Sequence, residues 1–113
     1  MSISKKTLWY RGESVAIDYY LRQWYELSVR NYTIRGWEID CVVENDLYRR
    51  FIEVKVVEYV KDLQNYITPK KVRTLIAAIR AYATKFPTTK LQTIDVVFVK
   101  QNTILHLFED ITL

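Results

Sequence analysis

The sequence predicts an α/β fold: a central mixed β-sheet of about five strands flanked by helices, in the order α-β-β-β-α-β-β. Three observations lead there. Two segments carry apolar residues at the helical period, five short runs are rich in β-branched and aromatic residues, and turn-forming residues punctuate the boundaries between them. One domain over residues 1–113 is expected, because a chain of 113 residues, half of them apolar, can bury one core without staples and shows no linker or internal repeat.

The first helix is expected from Leu8 onward, ending near Trp24. Leu8, Val15, Ala16 and Tyr19 recur there at roughly helical spacing, with Arg11, Glu13, Asp18 and Arg22 between them. "ELSVRNYTI" then alternates Leu27 and Val29 with polar neighbours, the pattern of a short strand. "WEIDCVV" and "FIEVKVV" read as an antiparallel pair, since the intervening "ENDLYRR" holds the turn-forming Asn45-Asp46. Thr68-Pro69 supplies a hydroxyl cap and a proline at the first helical position, and Val72, Leu75, Ile76, Ile79, Tyr82 and Phe86 follow the helical period after it. Pro87 stops this second helix. "TIDVVFV" and "TILHLF" complete the sheet, joined around Gln101-Asn102.

Composition bounds the compartment more than the function. Seventeen Lys and Arg against 13 Asp and Glu give a formal charge of +4, and the pI is near 9.2; such a balance favours polyanion partners but decides little alone. The single cysteine, Cys41, lies in an apolar run, which excludes an intramolecular disulfide and a Cys/His zinc site and fits a reducing, cytoplasmic setting. No stretch resembles a signal peptide or approaches the roughly 20 apolar residues of a membrane span, so no membrane association is expected.

The chemistry concentrates between Glu38 and Lys55. Side chains two apart on a strand share a face, so Glu53 and Lys55 project together with Cα atoms about 6.5 to 7 Å apart, and Glu38 pairs with Asp40 in the same way. If the two strands are neighbours, Asp40 lies beside Glu53, with Ile39, Cys41, Ile52 and Val54 filling the core behind. Two carboxylates a few ångströms apart repel by roughly several kcal/mol at an effective dielectric near 20, and that repulsion calls for a cation. Lys55 supplies part of it. A hard divalent ion, Mg²⁺ or Mn²⁺, suits the rest because the available donors are oxygens and the lone His106 is remote in sequence. The residues alone leave a plain alternative, a structural ion pair between Asp40 and Lys55.

These features resemble a known family. "GE" at Gly12-Glu13, "RN" at Arg30-Asn31, "EID" at Glu38 to Asp40, "FIEVK" at Phe51 to Lys55, "PKK" from Pro69, "DVVFV" from Asp95 and the closing "ILHLFEDI" occur in the order found in the YraN-like family of predicted endonucleases. That family is similar to archaeal Holliday junction resolvases and belongs to the PD-(D/E)XK nuclease superfamily. The resemblance spans nearly the whole chain. It implies a restriction-endonuclease-like core, metal binding by Asp40 and Glu53 with the Val54 carbonyl, Lys55 as the catalytic lysine, and Glu13 as an acid added to the site by the first helix. It further implies cleavage of DNA, branched or structured, by a homodimer. Trp37 after Gly36 and Val56-Val57 after the lysine depart from the family pattern.

Cations elsewhere are candidates for phosphate contacts. Lys70, Lys71 and Arg73 open the second helix, and Arg49 and Arg50 precede the active strand near a hairpin tip. A solvated face explains the first group equally well, and a polar hairpin tip the second. A rival to the enzyme is a nuclease-like module that binds nucleic acid without cutting. Cys41 points away from Asp40 by strand alternation, which excludes it as a nucleophile, and His106 on an apolar strand reads as structural.

Overall fold

Seven elements follow one another in the computed structural model, which describes residues 3–58 and 66–111: α1 (Lys5–Leu21), β1 (Glu26–Ile34), β2 (Trp37–Glu44), β3 (Tyr48–Val56), α2 (Pro69–Lys85), β4 (Leu91–Lys100) and β5 (Thr103–Phe108). The order is the expected α-β-β-β-α-β-β. Helix α1 begins and ends earlier than its apolar period indicates. The Ser4 hydroxyl caps it by accepting from the Thr7 amide at 3.2 Å, and Trp24 adopts a φ of 67°, which turns the chain out of the helix. Among the described residues no helix is long and apolar enough to cross a membrane.

The sheet runs β1-β2-β3-β4-β5. Strands β3 and β4 are parallel, from Tyr48↔Leu91 to Val56↔Val99, and α2 is the crossover between them; the other neighbours are antiparallel. Local turn chemistry fixes the registers. Arg35 and Gly36, and Gln101 and Asn102, all have positive φ, as a two-residue turn matched to strand twist requires. Asn45 Oδ1 accepts from the amides of Leu47 and Tyr48 at 2.9 and 2.7 Å, an Asx turn that closes the β2–β3 hairpin.

One helix covers each face. On one side Ala16, Ile17 and Tyr20 of α1 pack on Cys41, Val43, Ile52, Val97 and Val99. On the other, Ala78, Ala81 and Tyr82 of α2 pack on Ile34, Ile39, Val42 and Phe51. The buried stripe of α2 is Leu75, Ala78, Ala81 and Tyr82: Leu75 and Tyr82 belong to the expected period, while the alanines, which let the helix approach the sheet closely, do not, and Val72, Ile76 and Ile79 are only partly buried; Phe86 remains 37% exposed. Gly12 serves the same end in α1, since a methyl there would overlap Val56 Cγ2 of β3. The close approach sets the next residue, Glu13, against the sheet.

Strand alternation breaks at Asp40. Ile39 packs with the α2 cluster and Cys41 with the α1 cluster, although they are two positions apart, so Ile39 does not share a core face with Cys41, Ile52 and Val54 as simple alternation predicts. Asn31, which lies opposite Asp40 between the pairs Arg30↔Cys41 and Tyr32↔Ile39, has a φ of 50°. Pairing between β2 and β3 ends at Cys41↔Ile52. Beyond it the two strands diverge, and the gap between them is where the charged residues gather.

Candidate active site

The Asp40 carboxylate occupies that gap. Its Oδ2 accepts the Val54 amide hydrogen at 2.8 Å, replacing the main-chain bond that the end of the β2–β3 ladder leaves unmade. The N–H and C=O of one strand residue project to the same edge, so the Val54 carbonyl also opens on the gap. Glu53, 7% exposed, sits next to it in β3. Asp40, Glu53, Val54, Lys55 and Glu13 all line one open cleft of about 390 Å³, together with Glu38 and the exposed rings of Trp9 and Tyr66.

The electrostatics follow from crowding carboxylates at a half-buried place. Burial first, and then the neighbouring Glu53 charge, push the Asp40 carboxyl up to about 7, against the lowering effects of the Val54 amide and Lys55. Glu13 is also raised, by burial above all. Each is thus short of positive charge. Lys55 Nζ lies 3.3 Å from Glu53 Oε1, and Lys71 Nζ of α2 lies 3.0 Å from the same oxygen. Among the described residues no three His, Cys, Asp or Glu side chains converge as a metal cluster; the donor set is two carboxylates and a main-chain carbonyl. Those hard oxygens suit Mg²⁺ or Mn²⁺, which need only one or two protein carboxylates when substrate phosphate and water complete the shell.

A pH dependence follows from the raised Asp40. In the native state this carboxyl keeps its proton up to about 7, whereas the unfolded chain loses it near the ordinary value of 3.8. The native state therefore binds more protons across that window, so this group's contribution to metal-free stability falls as pH rises through it and stays low above. Asp40→Asn removes the slope while its amide oxygen can still accept the Val54 hydrogen. In EDTA, the melting temperature of Asp40→Asn relative to wild type is expected to climb from pH 4 to 7 and then level off, as thermal melts in a buffer series will show.

Glu13 is placed at the cleft wall but is spoken for. Arg30 donates to its Oε1 at 3.4 Å, and the Asn31 amide nitrogen, with the carboxamide oriented toward the carboxylate, donates to Oε2 and Oε1 at 3.0 and 3.1 Å. Arg30 is itself pinned beneath the Tyr10 ring, 3.5 Å from its centroid. This hold by "RN" is a role that neither residue's spacing reveals. Its only trace in the sequence is the pairing of that dipeptide with "GE" in the family pattern.

Two expected nucleic-acid contacts are corrected. Arg49 and Arg50 lie within β3, past the hairpin tip, and their charges are spent internally. Arg49 is 5% exposed and donates to Glu44 Oε1 at 3.2 Å and the Phe86 carbonyl at 2.6 Å. Arg50 donates to the Tyr25 hydroxyl at 2.8 Å and to Asp95 at 3.2 Å. Lys70 and Arg73 are exposed on the first turns of α2, whereas Lys71 points into the site rather than away from it. Cys41 is buried and burial raises its thiol, while His106 is exposed on the edge strand β5 against the Phe108 ring.

Comparison with known proteins gives a family and a likeness of fold. The model of the family described as "Uncharacterised protein family UPF0102" matches residues 12–99, a span that includes every residue of the charged gap. A UPF0102 protein of Nitratiruptor sp. is 32% identical over 113 residues, covering 100% of this chain and 99% of that one. Another, from Helicobacter hepaticus, is 36% identical over 79% of each chain, and a third, from Rhodopseudomonas palustris, is 31% identical over 81% of this chain and 72% of its own. Among solved structures, an XisH family protein from Nostoc punctiforme is similar in fold, with a TM-score of 0.52 over 87% of this chain and 98% of that chain at 9% identity.

Proposed function

The chain belongs to the uncharacterised protein family UPF0102, the YraN-like family, and from that premise we propose that it is a metal-dependent endonuclease that hydrolyses DNA phosphodiester bonds, on branched or structured DNA. The fold is nuclease-like. The observation that carries the proposal is the gap between β2 and β3, where Asp40, Glu53, the Val54 carbonyl and Lys55 meet in one open cleft.

Each residue has a task that its position allows. Asp40 and Glu53 offer oxygens to Mg²⁺ or Mn²⁺ from two strands, and the Val54 amide fixes the Asp40 headgroup so that its rotamer is set in advance. When bound, the ion supplies Lewis-acid charge that offsets the negative charge developing on the scissile phosphate. Lys55 projects from the strand position after Val54, where its ammonium can donate to the attacking water or to a non-bridging phosphate oxygen as charge accumulates. Glu13, held by Arg30 and Asn31, adds fixed negative charge at the α1 wall and helps retain the cation.

The test is nicking of linear, flap and four-way DNA by the purified chain. We expect cleavage with Mg²⁺ or Mn²⁺, none in EDTA, and preference for branched substrates. Salt-dependent DNA binding that ignores Mg²⁺, without cleavage, would replace this reading with that of a binding module.

A further inference from the structure

We propose that Lys71 is a stand-in cation for the candidate metal site: it neutralises Glu53 while the metal is absent and is displaced into the cleft when the metal binds. The inference rests on the endonuclease reading, which makes Asp40 and Glu53 the ligands.

Glu53 Oε1 receives two ammonium groups, Lys71 Nζ at 3.0 Å and Lys55 Nζ at 3.3 Å. Two cations on one oxygen repel each other, and the arrangement persists because Glu53 is nearly buried and acidic side chains, Glu13 among them, line the same cleft. The two lysines are not equivalent. Lys55 is fixed by its strand two residues from Glu53. Lys71 reaches over from the first turn of α2, where its amide is bonded to the Thr68 cap, and its side chain is 37% exposed. It can leave by rotating its stem, with no cost in main-chain hydrogen bonds.

A divalent ion on Asp40 and Glu53 takes over the neutralisation and makes a second ammonium on Glu53 repulsive. Lys71 must therefore be displaced before Glu53 can ligate, so in the free protein it competes with the metal. Once displaced, its ammonium remains at the rim of the cleft, where a substrate phosphate can take it. Metal and DNA phosphate then favour each other's binding, each by drawing away what the other must displace. Lys70, one position earlier on the same turn, is exposed and forms no ion pair among the described residues.

Calorimetric titration of the full chain with Mn²⁺, without DNA and at about pH 8, tests this directly. Lys71→Gln is expected to bind Mn²⁺ about five- to tenfold more tightly than wild type, a coupling of ordinary size, while Lys71→Arg and Lys70→Gln stay at the wild-type affinity. A lysine with a merely structural role would shift affinity the other way. Should Lys71→Gln fail to fold, Lys71→Met, which keeps the apolar stem, carries the same expectation. Equal or weaker Mn²⁺ binding by the neutral variant, beside measurable binding by wild type, overturns the inference and leaves the metal site standing. Absence of Mn²⁺ binding in every variant overturns the endonuclease reading and this inference with it.

Discussion

Glu53→Gln and Lys55→Ala are each expected to lower metal-dependent nicking by about 10³-fold or more, while the far-ultraviolet circular dichroism spectrum stays that of wild type. Both side chains stand at the open end of the β2–β3 gap rather than in the packed core, and neither carries a main-chain bond of the sheet. Glu53→Gln removes one of two anionic ligands and leaves the amide beside two ammonium groups. Lys55→Ala removes the cation that β3 fixes two residues from Glu53. The two losses differ in kind: excess Mn²⁺ should partly rescue Glu53→Gln, because it compensates weakened binding, and should leave Lys55→Ala inactive. Plasmid nicking across a Mn²⁺ series separates them. Wild-type rates in both variants would place the chemistry elsewhere.

Asp95→Ala is expected to have the largest effect on stability, about 3–5 kcal/mol by urea unfolding. Asp95 is 0% exposed and gathers four donors. They are the Tyr20 hydroxyl at 2.7 Å, Arg50 at 3.2 Å, the Thr93 hydroxyl at 3.1 Å and the Asp110 amide at 3.0 Å. Burial and the Asp95 charge keep the Tyr20 hydroxyl protonated, so it acts as a committed donor. Removal of the carboxylate takes from the largely buried Arg50 guanidinium its ion-pair partner and leaves it the Tyr25 and Thr93 hydroxyls as hydrogen-bond acceptors. It also removes one tie between β4 and the segment after β5, the Asp110 amide bond, and leaves the Ile111 amide bonded to the Ile94 carbonyl at 2.9 Å. Asp95→Asn, which keeps the shape and an acceptor oxygen, should cost less. Asp95 does not line the cleft, so whatever protein remains folded should cut at the wild-type rate.

The order of elements was legible because each had a local cause: period-two and helical patterning, a Thr-Pro helix start, and Asx or positive-φ turns at Asn45 and Asn102. The convergence of Asp40, Glu53 and Lys55 on one cleft was legible for a related reason. Charges at Asp40, Glu53 and Lys55 interrupt runs that are otherwise apolar, and a charge placed there needs a partner. What escaped reading depends on contacts between distant segments. Arg49 and Arg50 look like hairpin-tip cations until Glu44, Phe86 and Asp95, the last more than forty residues away, are seen to consume them. Lys71 looks like one of three solvated cations, and only the crossover that lays α2 over Glu53 distinguishes it from Lys70 and Arg73. Ile39 changes faces where Asn31, opposite Asp40, adopts a positive φ, an event with no signature in an alternating pattern.

A divalent cation seated in the gap between β2 and β3 is what the proposed chemistry requires. Crystals grown with MnCl₂, with diffraction recorded above the manganese absorption edge, test it most directly. We expect one anomalous peak within coordination distance of an Asp40 oxygen, a Glu53 oxygen and the Val54 carbonyl, with Lys71 moved off Glu53. Manganese bound elsewhere, or the gap still closed by both lysines at saturating Mn²⁺, would contradict the account.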